Sequence, residues 1–307
     1  MYLLPKPKTI KEQDGQMLLC HSTHIVMTKE VAETEMHAAK RLQEAIRQET
    51  GLILPFSVGE VREGDLSLGI AKTLPEQTYE ITIDEKGGQI SGGDGAGVLY
   101  GVETFCQIVQ QCGGILPCVQ IQDAPDMPNR GYYFDQTRGR VLKLEELKKI
   151  ADRMCRYKLN QLQLYVEHTY LFRDFSEMWR DQTPLTAEEI RELDSYCRER
   201  HIELVPSLAS FGHLCTLLST KTYGDLCEME DSWKEPFSFW NRMRYHTINV
   251  SDERSLPLIK KMIAEYMQLF SSNKFNICAD ETFCLGKYKS KKLAEERGVH
   301  RLYIDYV

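Results

Sequence analysis

The second part of the sequence alternates four times between short apolar runs of the strand type and amphipathic runs of the helix type. The predicted strands are residues 131–135, 160–166, 202–205 and 275–278, and the last helix is predicted at 289–307. Strands separated by crossover helices run parallel, because each helix returns the chain to the same end of the sheet. The pattern therefore predicts an α/β fold, either half of an eight-stranded (β/α)8 barrel or a small open sheet.

The first 125 residues have a mixed pattern of strands and helices. Helical periodicity covers residues 31–48 and the residues that follow Asp94, a predicted N-cap. The predicted strands are residues 52–58, 65–70, 79–83, 89–91 and 119–121. Residues 123–129 contain two prolines among polar residues, a composition typical of a linker. We therefore predict two domains, residues 1–125 and residues 130–307.

Polar side chains stand at or just after the carboxyl end of each predicted strand in the second domain. They are Asp135, Glu167 with His168, Ser207, and Asp280 with Glu281. Barrels and open parallel sheets both bind ligands at the carboxyl ends of their strands. A site is therefore expected here in either fold.

The adjacent carboxylates Asp280 and Glu281 are the sharpest local feature of the chain. Two like charges held together in a cleft titrate separately, so one can stay ionised while the other holds a proton near neutral pH. Such a pair can protonate a leaving oxygen and stabilise developing positive charge. From spacing alone, either residue could equally cap the next turn.

The amino-acid composition of the chain argues against some classes of binding partner. Hydrophobic residues make up 42% of the 307 residues and charged residues 27%, which is ordinary for a globular protein. The net charge of −7 argues against nucleic acid, because binding to its backbone depends on clustered cations. No apolar run approaches the roughly 18 residues of a membrane helix, and the N-terminus lacks the apolar stretch of a signal peptide. We expect a cytoplasmic protein that binds neither nucleic acid nor membranes.

Cysteine spacing and glycine content bear on metals and cofactors. The ten cysteines are spread from Cys20 to Cys284 without a Cys-x-x-Cys pair, so we expect reduced, mostly buried thiols. Zinc sites need more tightly paired Cys or His ligands, and we predict no metal. Residues 92–97 are rich in glycine but lack the Lys-Ser/Thr of a phosphate-binding loop. No motif implies a cofactor, and we predict none.

Four motifs follow one another along the chain. Residues 93–105 lead into a helix, residues 130–138 open the second domain, a Phe-Gly-His sequence ends at His213, and Asp280 with Glu281 ends the fourth strand. This set resembles glycoside hydrolase family 20, the β-N-acetylhexosaminidases, and most of all its bacterial branch without a secretion signal. The resemblance runs from Leu4 to the end of the chain.

The resemblance implies a small α+β domain over residues 1–125, followed by a (β/α)8 TIM barrel that begins near Arg130. Residues 130–307 are fewer than the roughly 250 residues of a complete barrel. We therefore expect a truncated chain with only about the first four βα units. A half barrel exposes two sheet edges, which the missing half or a second copy of the chain, as a homo-oligomer, would cover.

The resemblance also implies an activity, the removal of non-reducing terminal β-linked N-acetylhexosamine (GlcNAc or GalNAc) from an oligosaccharide or a small glycoside. In this family the substrate's 2-acetamido oxygen is the nucleophile, an oxazolinium intermediate forms, and the configuration is retained. Glu281 matches the general acid/base, and Asp280 matches the carboxylate that orients the acetamido group. Arg138 matches an arginine that hydrogen-bonds sugar hydroxyls, and His213 matches a histidine that supports the site.

Each supporting residue also has a purely structural alternative. Arg138 suits a salt bridge at the rim, and His213 suits a buried histidine with satisfied hydrogen bonds. Glu167 and His168 stand where much of the family has acidic residues, and we predict that they line the site. Residues 276–279 read Asn-Ile-Cys-Ala where the family often has His-x-Gly-Gly, which leaves the exact substrate open.

Two other functions stay open. The first is a non-catalytic carbohydrate-binding fragment that keeps the fold and little turnover. The second is a different barrel hydrolase in which an enzyme carboxylate attacks the sugar directly from about 5–5.5 Å away from the acid. Only that second enzyme should accept plain β-glucosides, because they lack the acetamido group.

Overall fold

The computed structural model describes residues 1–236 and 238–307, and its contacts divide the chain into two compact units. The first unit comprises residues 1–131, 149–160 and 197–202, and the second comprises residues 132–148, 161–196 and 203–307. Among the helices of the described residues, none has both the length and the apolar character that crossing a membrane requires.

The first unit is built on one mixed sheet. Its elements in chain order are β1 (Thr9–Leu18), β2 (Ile25–Met27), α1 (Lys29–Thr34), α2 (Met36–Thr50), β3 (Phe56–Val58), β4 (Leu66–Ile70), β5 (Tyr79–Asp84), β6 (Gly87–Gly92), α3 (Gly95–Cys112) and β7 (Ile115–Asp123). The strand order is β1-β7-β5-β6-β4-β2-β3. Pairing is antiparallel from β1 to β6 and parallel from β6 to β3. Helices α2 and α3 pack on each other and bury Leu42 and Val102 completely.

Two predicted elements of this unit differ from the structure. The helix predicted at residues 31–48 is interrupted at Glu35, whose φ of −121° lies outside the helical region, so α1 and α2 are separate helices. The strand predicted at residues 52–58 is confined to β3. Pro55 directly precedes β3 and has no N–H to donate to a neighbouring strand.

Backbone packing explains the glycine-rich segment at residues 92–97. Asp94 caps α3, and its Oδ1 accepts a hydrogen bond of 2.7 Å from the amide of Gly97. A Cβ atom on Gly97 would lie 2.2 Å from the carbonyl oxygen of Thr78. The start of α3 therefore lies directly against the backbone before β5, an approach that only glycine permits.

We predict that Gly97→Ala lowers the free energy of unfolding by about 3 kcal/mol or more, because a backbone carbonyl cannot rotate away from the new methyl group. The control is Gly51→Ala after α2, where no atom lies within 4 Å of the added Cβ and only a φ of +77° opposes the change. That control should cost about 1 kcal/mol. Urea denaturation measures both, and equal losses would contradict the packing explanation.

The second part of the chain contains a smaller sheet. Its elements in chain order are β8 (Gly131–Asp135), α4 (Leu144–Arg156), β9 (Gln161–Val166), α5 (Ser176–Trp179), α6 (Ala187–Arg198), β10 (Glu203–Leu208), α7 (Cys215–Leu218), α8 (Phe239–Arg244), α9 (Ser255–Met267), α10 (Lys291–Arg297) and α11 (Val299–Tyr306). The strand order is β10-β9-β8, and β9 and β10 pair in parallel. An aromatic cluster of Tyr170, Phe172 and Tyr266 forms part of the core of this unit.

The fourth strand predicted at residues 275–278 is reduced to a single bridge. The segment makes one parallel bridge, from Asn276 to β10, and the chain then leaves the extended conformation at Cys278, whose φ is +43°. The last predicted helix, residues 289–307, is two helices. Gly298, with a φ of +84°, separates α10 from α11.

None of the ten cysteines, all of which lie in the described residues, is in a disulfide bond. Seven are buried, Cys112 and Cys215 are partly buried, and Cys20 is exposed. Burial raises the pKa of buried thiols such as Cys106 and Cys155, which keeps them protonated and unreactive. These side chains pack as small apolar groups.

Candidate active site

Arg138 follows β8, and an aromatic ring and two carboxylates surround its guanidinium. Its Nε lies 2.9 Å from Oδ2 of Asp135 and 3.7 Å from Oε1 of Glu167, and its Cζ lies 4.6 Å from the centroid of the Tyr165 ring. Burial alone would lower the pKa of Arg138, but Tyr165 and the two carboxylates raise it, so the side chain stays cationic. The buried Nε has no hydrogen-bond acceptor among the described residues, because its contact with Asp135 has poor geometry.

Glu167 comes directly after β9, and only 4% of its side chain is exposed. The hydroxyl of Tyr165 donates to its Oε1 at 3.0 Å, and Nη2 of Arg242 donates to its Oε2 at 2.8 Å. Burial and the neighbouring Glu167 carboxylate raise the pKa of Tyr165, so its hydroxyl remains a donor. Protein groups therefore hold both oxygens of Glu167, which favours a supporting role over direct contact with a ligand.

His168 is buried beside Glu167. Its Nδ1 lies 3.2 Å from Oγ1 of Thr216 and 4.0 Å from Oε2 of Glu167. Burial, and after it the positive charge of Arg242, lowers the pKa of His168 to about 4. The ring is therefore neutral at neutral pH and supports the site as a hydrogen-bonding group without charge.

His213, Asp280 and Glu281 come together beyond the carboxyl end of β10. Nε2 of His213 lies 3.0 Å from Oε2 of Glu281 and 4.0 Å from Oδ2 of Asp280. The histidine is buried, but 66% of the Asp280 side chain and 41% of the Glu281 side chain are exposed. The buried ring of His213 lies beside them, but their side chains remain open to solvent.

Close backbone contact sets the position of the acid pair. A Cβ atom on Gly212 would lie 2.6 Å from the carbonyl oxygen of Asp280 and 3.1 Å from that of Glu281. His213 and Glu281 have φ values of +57° and +50°, a conformation that residues with side chains seldom adopt. Strained backbone of this kind concentrates at functional sites, where the surrounding structure imposes it.

A chain of contacts joins the arginine group to the acid pair. The rings of Tyr165 and Tyr133 lie 6.2 Å apart, and the hydroxyl of Tyr133 lies 3.0 Å from Oγ of Ser207 and 3.5 Å from Sγ of Cys278. Ser207 and Cys278 are themselves 3.0 Å apart. Because Cys278 precedes the acid pair by two residues, the contacts run from Arg138 across the strand ends to the carboxylates.

The structure thus places the six predicted site residues in two groups. Arg138, Glu167 and His168 form one, and His213, Asp280 and Glu281 form the other. Sequence reasoning missed Tyr165 and Arg242. Tyr165 has the apolar strand pattern as its only signal, although it stands two residues before a predicted site carboxylate. Arg242 lies in a long segment without clear periodicity, where nothing in the sequence singles it out.

His213, Asp280 and Glu281 are also a group among the described residues that could hold a metal ion. One donor atom from each lies within 4.8 Å of the others. Exposed acidic groups often approach one another without an ion, and the two carboxylates here are exposed. The absence of a metal and of a cofactor stays a prediction.

Comparison with known proteins identifies the family. The family model described as "Glycosyl hydrolase family 20, domain 2" matches residues 1–124, and "Glycosyl hydrolase family 20, catalytic domain" matches residues 127–301. The chain belongs to glycoside hydrolase family 20. This confirms the resemblance seen in the motifs and identifies the second part of the chain as a TIM-barrel-type catalytic domain, although its described strands do not close into a barrel.

Relatives of this family 20 chain are longer than it is. It is 24% identical to a beta-hexosaminidase of Porphyromonas gingivalis, over 98% of this chain and 43% of that protein. It is 26% identical to a beta-hexosaminidase of Vibrio furnissii, over 91% and 48% respectively. The chain therefore spans about half the length of these curated relatives.

Solved structures show the same fold. N-acetyl-beta-hexosaminidase from Streptomyces plicatus, in complex with Thio-NAglucal, superimposes with a TM-score of 0.80 at 21% identity, over 99% of this chain and 64% of that one. The chitobiase of Flavobacterium johnsoniae superimposes with a TM-score of 0.82 at 18% identity, over 99% and 50% respectively.

We predict that Gly212→Ala lowers the free energy of unfolding by about 1–3 kcal/mol, because the new methyl group separates two backbone segments in contact. The matched control is Gly224→Ala in the same unit, where the added Cβ meets one carbonyl oxygen at 3.3 Å. Urea denaturation measures both variants. A Gly212→Ala variant no less stable than the control would show that the loops do not touch in solution.

His168 should make stability depend on pH. Its folded pKa of about 4 lies below the ordinary value of 6.5, so the unfolded chain takes up a proton first as the pH falls. Between pH 6.5 and pH 4 the wild type should lose about 3 kcal/mol relative to His168→Gln, and the difference should be constant above pH 7.5. Unfolding of both proteins at a series of pH values measures it. A difference that does not change with pH would mean that His168 is not buried as a neutral ring.

Proposed function

We propose that this chain carries the catalytic acid pair of a hydrolase that removes non-reducing terminal β-linked N-acetylhexosamine, GlcNAc or GalNAc, from oligosaccharides or small glycosides. One observation carries the proposal. Glu281 and Asp280 stand side by side within 3.0 Å and 4.0 Å of one buried histidine, in a chain that matches family 20 over nearly its whole length. The names of its relatives, beta-hexosaminidase and chitobiase, describe the same class of substrate.

Glu281 is the proposed acid and base. It protonates the leaving glycosidic oxygen in the first step and activates a water molecule in the second. Nε2 of His213 lies 3.0 Å from this carboxyl group and helps to set its position. The exposed part of the Glu281 side chain leaves its second oxygen accessible to a substrate.

Asp280 is the proposed partner of the substrate's acetamido group. It orients that group for attack on the anomeric carbon and stabilises the positive oxazolinium intermediate, so the configuration is retained. Direct attack by an enzyme carboxylate needs two carboxyl groups about 5–5.5 Å apart that flank the scissile bond. Asp280 and Glu281 are adjacent in sequence and lie beside the same histidine, so they are not placed to flank a scissile bond, which favours the substrate's own oxygen as nucleophile.

Arg138 is the proposed donor to the sugar hydroxyls. Its planar guanidinium offers several N–H groups in a rigid fork, which suits neighbouring hydroxyls. Stacking on Tyr165 and the contact with Asp135 hold its position. Arg138 and the acid pair, the two groups of the proposed site, lie at or beyond the carboxyl ends of the strands, where barrel enzymes bind their substrates.

We also propose that residues 130–307 supply about the first four βα units of a (β/α)8 barrel. The strand β8 lies at the edge of its sheet, and its residues Tyr132 and Tyr133 are about half exposed. Strands of a closed barrel are covered on both sides. A further βα segment would cover this edge. The domain boundary at residues 125–130, the cytoplasmic location and the homo-oligomer stay predictions.

The exposure of the acid pair favours a second candidate, a carbohydrate-binding fragment with little turnover. The side chains of Asp280 and Glu281 are 66% and 41% exposed. An open pocket holds a sugar less firmly, because part of the ligand stays in contact with water.

We expect the chain to release p-nitrophenol from its β-N-acetylglucosaminide, and Glu281→Gln to lower kcat/KM by about 10²–10⁴-fold, the usual contribution of a general acid. The control Glu253→Gln makes the same chemical change at an exposed glutamate outside the site. The corresponding β-glucoside should not be hydrolysed, because it lacks the acetamido group.

Two results would contradict this proposal. A folded chain that binds N-acetylglucosamine by calorimetry but releases no p-nitrophenol would establish the binding fragment instead. Equal rates on the glucoside and the N-acetylglucosaminide would rule out the substrate-assisted mechanism.

A further inference from the structure

Arg242 is one of the side chains by which the long segment between β10 and α9 reaches the strand ends. Nη2 of Arg242, in the short helix α8, donates to Oε2 of Glu167 at 2.8 Å. The Arg242 side chain is 17% exposed, and its buried Nε has no hydrogen-bond acceptor among the described residues. The pair is therefore a mostly buried contact between charges, and removing one partner from such a pair is costly.

Apart from Arg242, the contacts described for helix α8 lie mainly at its two ends. None of its residues is fully buried. Its N-terminus is capped locally by Ser238, and its last turns accept hydrogen bonds from the thiols of Cys284 and Cys227. The ion pair of Arg242 with Glu167 ties a side chain of α8 to the end of β9.

Glu167 has two arginines within reach, and they are not equivalent. Arg242 makes a hydrogen bond at 2.8 Å, whereas Nε of Arg138 lies 3.7 Å from the other carboxylate oxygen, which the hydroxyl of Tyr165 already occupies. The guanidinium of Arg138 stacks on the Tyr165 ring instead. Because Arg242 satisfies the buried charge, Arg138 keeps its donors for a ligand.

We infer that Arg242 is a positioning residue: it neutralises Glu167 and thereby prevents that carboxylate from drawing Arg138 away from the sugar hydroxyls. This inference rests on the proposed function for the role of Arg138. When Arg242 is removed, Glu167 remains buried and charged, and Arg138 is the nearest cation that can pair with it. Arg138 then turns toward Glu167, and substrate binding weakens.

The test compares Arg242→Met, Arg242→Lys and the double variant Arg242→Met/Glu167→Gln. The matched control is Arg244→Met, which removes a cation from the same helix; Arg244 stacks on Trp240 at 5.2 Å. We expect Arg242→Met to raise KM for the N-acetylglucosaminide about tenfold, the usual effect of losing one hydrogen bond to a ligand, with kcat changed less than about threefold. Arg242→Lys should recover part of the loss. The double variant should also recover, because the neutral amide that replaces the Glu167 carboxylate does not attract Arg138.

Two outcomes in this assay would overturn the inference. One is an Arg242→Met variant whose KM equals that of the control. The other is a double variant that binds substrate no better than Arg242→Met, since a merely structural loss would not be rescued by removing a second polar partner.

A second measurement does not need turnover, so it separates this inference from the proposed function. In the wild type the charge of Arg242 helps to hold the pKa of His168 near 4. NMR titration of His168 should show a higher pKa in Arg242→Met and no change in Arg244→Met, and the Nε–H resonance of Arg138 should shift only in Arg242→Met. Unchanged signals overturn the inference. An inactive wild type that shows both changes would refute the proposed function while supporting the link from Arg242 through Glu167 to Arg138.

Discussion

Parallel pairing of β9 with β10 determines where the candidate site residues lie. In register, Gln161 to Val166 run beside Glu203 to Leu208, so both strands end at the same edge. The bridge from Ser207 to Asn276 brings a third segment to that edge. Side chains far apart in sequence therefore meet there, because parallel strands present all their carboxyl ends on one side.

Burial of charge at this edge is the next constraint. Glu167 is almost completely buried, and an unpaired carboxylate in such a place would cost several kcal/mol. The hydroxyl of Tyr165 and the guanidinium of Arg242 satisfy it, and Arg138 stacks on the Tyr165 ring with its Nε 3.7 Å from the carboxylate. Burial and the charge of Arg242 keep the neighbouring ring of His168 neutral. One buried carboxylate thus organises the arginine half of the site.

Strained backbone sets the position of the second group of the site, which contains the acid pair. Gly212 lies against the carbonyl groups of Asp280 and Glu281, and positive φ values at His213 and Glu281 accompany the approach of their side chains. The two halves differ in environment: the arginine group is largely buried, whereas the carboxylates are open to solvent. In the proposed function, the buried group would hold the sugar and the exposed carboxylates would exchange protons with water.

Periodic and capping signals predicted much of the fold. The strand predicted at 131–135 is confirmed, and at the start of α6 Thr186 and Glu189 exchange the two hydrogen bonds of a capping box. Local signals of this kind act within a few residues, so they can be read from the chain. The predictions failed at Glu35, Cys278 and Gly298, where one residue in an unusual conformation ends an element that the apolar pattern would continue.

The sequence by itself determined the family, the alternation of strands and helices in much of the second domain, and the residue types that carry the chemistry. Motifs and periodicity are properties of neighbouring residues, so folding was not needed to see them. Tertiary structure alone decided that Glu167 is enclosed by Tyr165 and Arg242, that Gly212 contacts the acid pair, and that the carboxylates remain exposed. Each depends on which distant segments pack together and exclude water, and that is set by the whole fold.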